Sequence, residues 1–85
     1  MTLRIESHSE RNSTTIRLIG RMRAEHLEEV EQEIRDSGLE VVLDLRELSL
    51  VDVQTVRFLG RCESRGVRLA NCSAFIRHWI AREKE

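Results

Sequence analysis

The sequence predicts an α/β domain with element order ββαβαβα and a four-stranded, mixed, mostly parallel sheet. Two short stretches near the N-terminus alternate apolar and polar residues, as strands do. Farther along, apolar segments alternate with stretches whose apolar residues fall at helical spacing. Strands joined by a short connection pair antiparallel, whereas strands separated by a helix pair in parallel through right-handed crossovers, so this order implies a mixed sheet.

The chain opens with two predicted strands. Leu3–Glu6 and Thr15–Leu18 each alternate apolar and polar residues, and the stretch between them, residues 7–14, is polar. This pattern is typical of a strand, a turn and a second strand. After it, Ala24, Leu27 and Val30 begin a 3.6-residue repeat with glutamates between, which predicts an amphipathic helix. We expect that helix to end at Gly38.

The segment Val41–Leu45 is almost continuously apolar and begins with two β-branched residues, which predicts a strand covered on both faces at the centre of the sheet. We expect Asp44 to hold the loop after this strand by accepting backbone hydrogen bonds. After the apolar residues 48–51, Asp52 is placed as the N-cap of a second helix that runs from about Val53 to Ser64.

The second helix is also amphipathic. Its predicted inner face is Val53, Val56, Leu59, Gly60 and Cys62, and its outer face is Arg57, Arg61 and Arg65. Gly66 ends the helix, Val67–Ala70 is a short strand, and Ser73 caps a last helix. In that helix Phe75, Ile76, Trp79 and Ile80 are expected to form one apolar stripe.

Length and composition indicate one folded domain over residues 1–85, with 40% hydrophobic and 34% charged residues. A formal net charge of -1 argues against nonspecific nucleic-acid binding. No apolar run approaches the roughly 20 residues that a membrane span needs, so we expect a cytoplasmic protein. The charge is uneven, with seven acids against two bases in residues 23–40 and seven bases against three acids in residues 57–85. This fits either two solvated helix faces or a partner site steered by charge.

We find no pattern of residues that predicts catalysis, a metal or another cofactor. The three histidines lack partners at ligand spacing, and no phosphate-binding loop or nucleophile elbow is present. Cys62 and Cys72 lack the spacing of a zinc or redox motif and are expected to be small, partly buried thiols. Asp44 and Asp52 are better explained by loop and helix capping than as an acid and base pair. The sequence therefore predicts a protein that is not an enzyme.

Three segments in their order resemble the STAS family, named for sulfate transporters and anti-sigma factor antagonists. Val41–Leu45 ends in Leu-Asp-Leu, Leu50–Val56 resembles the Asp-Ser-Ser-Gly-Leu motif at the start of the next helix, and Leu18–Met22 resembles the earlier Leu-x-Gly-x-Leu segment. The resemblance implies the STAS fold. It also implies a switchable binding module, in which a serine kinase that doubles as an anti-sigma factor phosphorylates the second serine of the motif.

This sequence departs from the motif at the switch. By position, Asp52 matches the motif aspartate, Val53 its first hydroxyl residue, Gln54 the phosphorylated serine, Thr55 the glycine and Val56 the leucine. Gln54 has no hydroxyl to accept phosphate and no charge to imitate it. Thr55 carries the nearest hydroxyl and is a weak candidate for phosphorylation, because it lies about 100° farther round the helix and offers a kinase a different target.

We therefore predict a non-catalytic, phosphorylation-independent protein-binding module. The predicted partner is another protein, either an anti-sigma factor with serine kinase activity or, in the alternative of a lipid-transport assembly, an ABC transporter subunit. A nucleotide-binding domain is a further alternative. The predicted partner-binding residues are Asp52, Val53, Gln54, Thr55, Arg57 and Phe58. Phe58 does not fit the inner stripe of its helix, so it is either an exposed anchor or a residue at the rim of the core.

Overall fold

The computed structural model describes residues 3–38 and 40–84. The strands are β1 (Leu3–Ser9), β2 (Ser13–Met22), β3 (Glu40–Asp44), β4 (Leu48–Val51) and β5 (Arg68–Ala70). The helices are α1 (Leu27–Ser37), preceded by a 3₁₀ turn at Ala24–His26, α2 (Val53–Ser64) and α3 (Ala74–Glu83). Every helix predicted from the sequence is present, and the strands follow the predicted order with one addition.

The sheet has the order β1-β2-β3-β5, and β4 also pairs with β2. β1 runs antiparallel to β2, whereas β2–β3, β2–β4 and β3–β5 are parallel. The predicted α/β class and the mixed, mostly parallel sheet are confirmed, but the sheet has five strands instead of four. The extra strand arises because β3 pairs along residues 13–17 of β2, and after a short turn β4 pairs along residues 20–22 of the same strand.

One face of the sheet carries the core. In β2, Ile16, Leu18 and Met22 are fully buried, whereas the alternating Arg17 and Arg21 are exposed. β3 follows the same alternation, with a burial pattern in which every second residue is buried. The prediction that this central strand is covered on both faces is therefore wrong.

The face of β3 that carries Val42 is not fully covered, and the residues beside Val42 in the sheet are polar or charged. Val42 is only half-buried, and its partners in the sheet are Thr15 of β2 and Arg68 of β5. The apolar run in the sequence thus correctly indicates a central strand, but it does not show that both faces of that strand are buried.

Helix α3 packs against the rest of the molecule through Ile76 and Ile80, which are 4% and 2% exposed. Phe75, predicted to share their stripe, is 71% exposed. It lies one residue before Ile76, so about 100° of helix rotation carries it off the packed side. There its ring contacts that of the half-buried Trp79, with a centroid separation of 5.7 Å and an interplanar angle of 60°.

The two thiols agree with the sequence prediction. Cys62 is buried and Cys72 is half-buried, and neither is in a disulfide. Burial raises the pKa of both thiols above its ordinary value. Both thiols are therefore protonated and poorly reactive at neutral pH, Cys62 within the core and Cys72 packed against it.

Candidate functional site

The candidate site lies where β4 ends and α2 begins, at Asp52. Asp52 has an extended backbone, and its Oδ1 accepts a hydrogen bond of 2.8 Å from the amide of Thr55. This confirms the predicted N-cap, which satisfies one of the free amides in the first turn of α2. Its other oxygen, Oδ2, accepts a bond of 3.0 Å from the amide of Ala24. One carboxylate therefore ties the start of α2 to the 3₁₀ turn that leads into α1.

Thr55 adds a second tie between α2 and β2. Its side chain is fully buried, and its Oγ1 donates a hydrogen bond of 3.1 Å to the carbonyl oxygen of Met22. The hydroxyl that the sequence offers as a weak phosphorylation candidate is therefore engaged inside the molecule. The structure removes Thr55 from the exposed surface predicted from the sequence, because its position on α2 turns it towards β2.

The pKa of the Asp52 carboxyl is consistent with a charged group that accepts hydrogen bonds and holds the local structure. Burial raises the pKa of its carboxyl, but the hydrogen bonds from Thr55 and Ala24 outweigh burial and leave the pKa below its ordinary value. Asp44 also has a lowered pKa, chiefly because Asn71 donates a 3.0 Å hydrogen bond to it, and it accepts the amide of Arg46 as predicted. Neither carboxyl has the raised pKa that a general acid needs at neutral pH.

Some of the predicted partner-binding residues lie on the outside of this junction. Gln54 is exposed and has no side-chain hydrogen bond to any other described residue. Val53 and Asp52 are half-buried beside it. Arg57, one turn farther along α2, is exposed, and its Nε donates a 2.9 Å bond to Oε1 of Glu83. Four of the six predicted partner-binding residues thus reach the surface together.

Phe58 does not belong to that surface. It is 4% exposed and part of the hydrophobic core, so of the two readings the sequence left open, the core position is correct. The reason is its spacing, since Phe58 follows the buried Thr55 by three residues and precedes the buried Cys62 by four. A helical stripe that includes Thr55 as an inward residue would have identified Phe58 as buried.

Sequence reasoning missed Leu50, which is 57% exposed on β4, two residues before Asp52. In the β2–β4 register, Gly20 lies opposite Leu48 but the next residue, Arg21, lies opposite Leu50, so Ser49 is an extra residue. A bulge of this kind redirects the side chains that follow it. Leu48 stays in the core whereas Leu50 turns outward, and the Ser49 hydroxyl donates a 2.9 Å bond to the Gly20 carbonyl.

The sequence could not have shown that Leu50 faces solvent, because the bulge depends on pairing between two segments that lie far apart in the chain. With Leu50 included, the exposed junction combines one apolar side chain, one amide and one guanidinium. Such a mixture suits contact with a protein surface.

Within residues 3–38 and 40–84, no group of three or more histidine, cysteine or acidic side chains is arranged to hold a metal ion. In the same residues, no helix has both the length and the apolar character to cross a bilayer.

Comparison with known proteins gives a likeness in structure. No family model matches the chain, and no curated protein does. Among solved structures, the chain is similar to the anti-sigma factor antagonist SpoIIAA in its unphosphorylated form, with a TM-score of 0.67 and 22% sequence identity. The match covers 98% of this chain and 81% of that one. The likeness confirms the STAS-type fold that the sequence motifs predicted.

Proposed function

We propose that this chain is a cytoplasmic protein-binding module of the anti-sigma factor antagonist type, which binds its partner without a phosphorylation switch. The observation that carries the proposal is the first turn of α2. Gln54 is exposed there at the position that resembles the phosphorylated serine, while the nearest hydroxyl, that of Thr55, is buried in a bond to Met22.

The binding surface we infer is revised from the one that the sequence predicts. It consists of Leu50, Asp52, Val53, Gln54 and Arg57, without Thr55 and Phe58. Asp52 and Thr55 hold this surface against β2 and the 3₁₀ turn through their side chains. A surface that is already ordered loses little conformational entropy on binding, which favours affinity.

The same contacts support the proposed independence from phosphorylation. An amide cannot accept phosphate, and a kinase can reach the Thr55 hydroxyl only if the hydrogen bond to Met22 breaks and the start of α2 opens. The binding-competent surface therefore persists whether or not ATP and a kinase are present. The partner we propose is an anti-sigma factor with serine kinase activity.

Two other functions are weaker. A soluble subunit of a lipid-transport ABC assembly shares the fold, but no contact among the described residues favours it. A nucleotide-binding domain lacks support as well, because no glycine-rich turn in the sequence is available to cradle a phosphate.

Substitution at the centre of the surface tests the proposal. We expect Gln54→Arg to weaken binding to a serine-kinase anti-sigma factor by about tenfold or more, since a long cation replaces a neutral amide at the centre of the contact. The matched control is Gln32→Arg, the same change at an exposed position on α1. Isothermal titration calorimetry gives the affinities, and thermal unfolding checks that both variants remain folded. Equal affinity for the wild type and Gln54→Arg would place the binding surface elsewhere.

A further inference from the structure

The side of α3 that is turned away from α2 carries the most exposed large apolar side chain of the described residues. Phe75 is 71% exposed, and its ring contacts that of Trp79, one turn farther along the helix. Arg77 marks the opposite side of α3, because it pairs there with Glu63 of α2 at 2.7 Å. Phe75 and Arg77 are two residues apart, and two residues rotate a helix by about 200°. The Phe75 ring therefore projects away from α2.

An open cavity of about 380 Å³ lies beside the Phe75 ring on this side of α3, and we call it the α3 cavity. Its lining is Phe75, His78, Trp79, Arg82 and Glu83. The first four are spaced i, i+3, i+4 and i+7, the arrangement that forms a hole for a side chain of a second helix. Three of the five are exposed and two are half-buried, so an incoming side chain can reach them.

The chemistry of the α3 cavity suits an aromatic ring. Two of its walls are the rings of Phe75 and Trp79, and aromatic rings pack favourably edge to face or offset. Arg82 is exposed and has no ion pair with any described residue, so its guanidinium is available to stack on a ring face. The acid in the lining, Glu83, is already paired with Arg57 at 2.9 Å. The cavity thus offers aromatic faces and one available cation.

We propose that two copies of this chain associate through α3, with the helices antiparallel and Phe75 of each copy inserted into the α3 cavity of the other. A two-fold interface brings the same patch of both copies together, so the patch must complement itself. This patch does so, because it carries a protruding ring and, next to that ring, a hole that accepts one. The operation that places one Phe75 between residues 78 and 79 of the second copy also places the second Phe75 in the first cavity.

The charges and side-chain sizes allow this approach. With Phe75 opposite residues 78 and 79, the two Arg82 side chains lie at opposite ends of the contact, roughly 16 Å apart along the helix axis. Ala74, exposed beside Phe75, is small enough for the helices to come close. The contact uses one helix of 10 residues from each copy, which is at the small end of protein interfaces. We therefore expect a weak, reversible dimer.

Two other occupants fit the patch less well. Helices that lie on anionic membranes combine aromatic residues with several free bases, whereas Arg77 and Lys84 of α3 are both paired with Glu63. An acidic peptide supplies a carboxylate for Arg82 but offers no hole for the protruding ring of Phe75. A second copy of the chain supplies both a ring for the cavity and a cavity for the ring.

Sedimentation equilibrium of the whole chain measures the association. Over loading concentrations from about 10 μM to 1 mM, we expect a monomer–dimer equilibrium with a dissociation constant on the order of 100 μM. Trp79 is the single tryptophan of the chain, so its fluorescence reports on the α3 cavity. We expect its emission to move to shorter wavelength as the dimer forms, because the incoming ring excludes water from the indole.

Three variants test which side chains form the contact. Phe75→Ala removes the inserted ring and should weaken the dimer by about tenfold or more. Arg82→Glu places a carboxylate against the negative face of the incoming ring and should weaken it by a similar factor. Leu50→Ala is the matched control, because it truncates the other exposed large apolar side chain, on β4, and should dimerise like the wild type. Thermal unfolding at micromolar concentration checks that all three remain folded.

The proposal is overturned if the chain remains monomeric at about 1 mM or if Phe75→Ala dimerises as tightly as the wild type. An equal loss of dimer in Leu50→Ala would assign the association to a different surface and overturn it as well. So would a monomeric chain whose Trp79 emission shifts on adding vesicles that contain phosphatidylglycerol, since the patch would then be a membrane contact. None of these results depends on Gln54 or on an anti-sigma factor.

Discussion

The start of α2 and the outer side of the same helix, where it faces α3, are held in different ways. At the start of α2, a half-buried carboxylate and a buried hydroxyl form hydrogen bonds to backbone groups that lie 28 and 33 residues away. Along the outer side, exposed cations pair with half-buried carboxylates. Hydrogen bonds to the backbone of distant segments fix that backbone, whereas ion pairs between long side chains leave it adjustable and respond to salt. We therefore expect a rigid surface at one end of α2 and an adaptable one along its side.

The largest expected effect concerns the core beneath the rigid end. Phe58→Ala should lower the free energy of unfolding by about 3–5 kcal/mol, because it removes a ring that is 4% exposed and leaves a cavity. Phe75→Ala, at 71% exposure, is the matched control and should change it by less than about 0.5 kcal/mol. Urea unfolding followed by circular dichroism measures both. Similar losses in the two variants would contradict the assignment of Phe58 to the core and Phe75 to the surface.

The next effect concerns the Asp52 carboxylate. Asp52→Ala should cost about 2 kcal/mol, since it removes the N-cap of α2 and leaves the Ala24 amide without its acceptor. Asp52→Asn should cost less, because the side-chain oxygen of asparagine can still cap α2. Chemical unfolding ranks the three proteins. If Asp52→Ala proves as stable as the wild type, the tie between α2 and the 3₁₀ turn does not hold this junction.

The same carboxylate gives a pH dependence. Its pKa is lower in the folded chain than its ordinary value of 3.8, so the folded state favours the charged form. Its stabilising contribution is therefore complete above about pH 4 and is lost as the pH falls through the folded pKa. Asp44 and Glu63 have lowered pKa values and lose their contributions in the same direction.

Thermal unfolding between pH 7 and pH 2 measures this loss. We expect Asp52→Asn to lose less stability over that range than the wild type, because asparagine does not titrate. Parallel curves for the two proteins would mean that the Asp52 carboxylate is not stabilised by folding.

The smallest effect on stability is expected along the outer side of α2. Arg65→Gln removes the ion pair with Glu31 and should cost no more than about 1 kcal/mol at low salt, since Arg65 is exposed and solvent still reaches the half-buried Glu31. The difference should shrink in concentrated sodium chloride, where the pair is screened. The cost of Asp52→Ala should change little with salt. A salt-independent loss in Arg65→Gln would show that this side is as rigid as the junction.

The sequence could predict the features that depend on interactions between residues close together in the chain. Asp52 and Ser73 were assigned as N-caps correctly because a cap bonds to an amide three residues away, as both do here. Gly38, with its positive φ of 61°, ends α1 for an equally local reason.

The features that were missed depend on contacts between distant segments. The pairing of β4 with β2, and the bulge at Ser49 that exposes Leu50, exist only once Gly20 and Leu48 meet. The second hydrogen bond of Asp52, to Ala24, and the burial of Thr55 against Met22 are likewise long-range. Local patterns could therefore indicate a candidate site but could not show which of its side chains face solvent.

The central claim is that the Gln54 surface binds its partner without a phosphate switch. The most direct measurement is the affinity of the wild-type chain for a purified serine-kinase anti-sigma factor, taken before and after incubation of the chain with that kinase and ATP, with intact mass recorded each time. We predict the same dissociation constant and an unchanged mass. A mass increase of one phosphate on Thr55, with a change in affinity, would contradict the account.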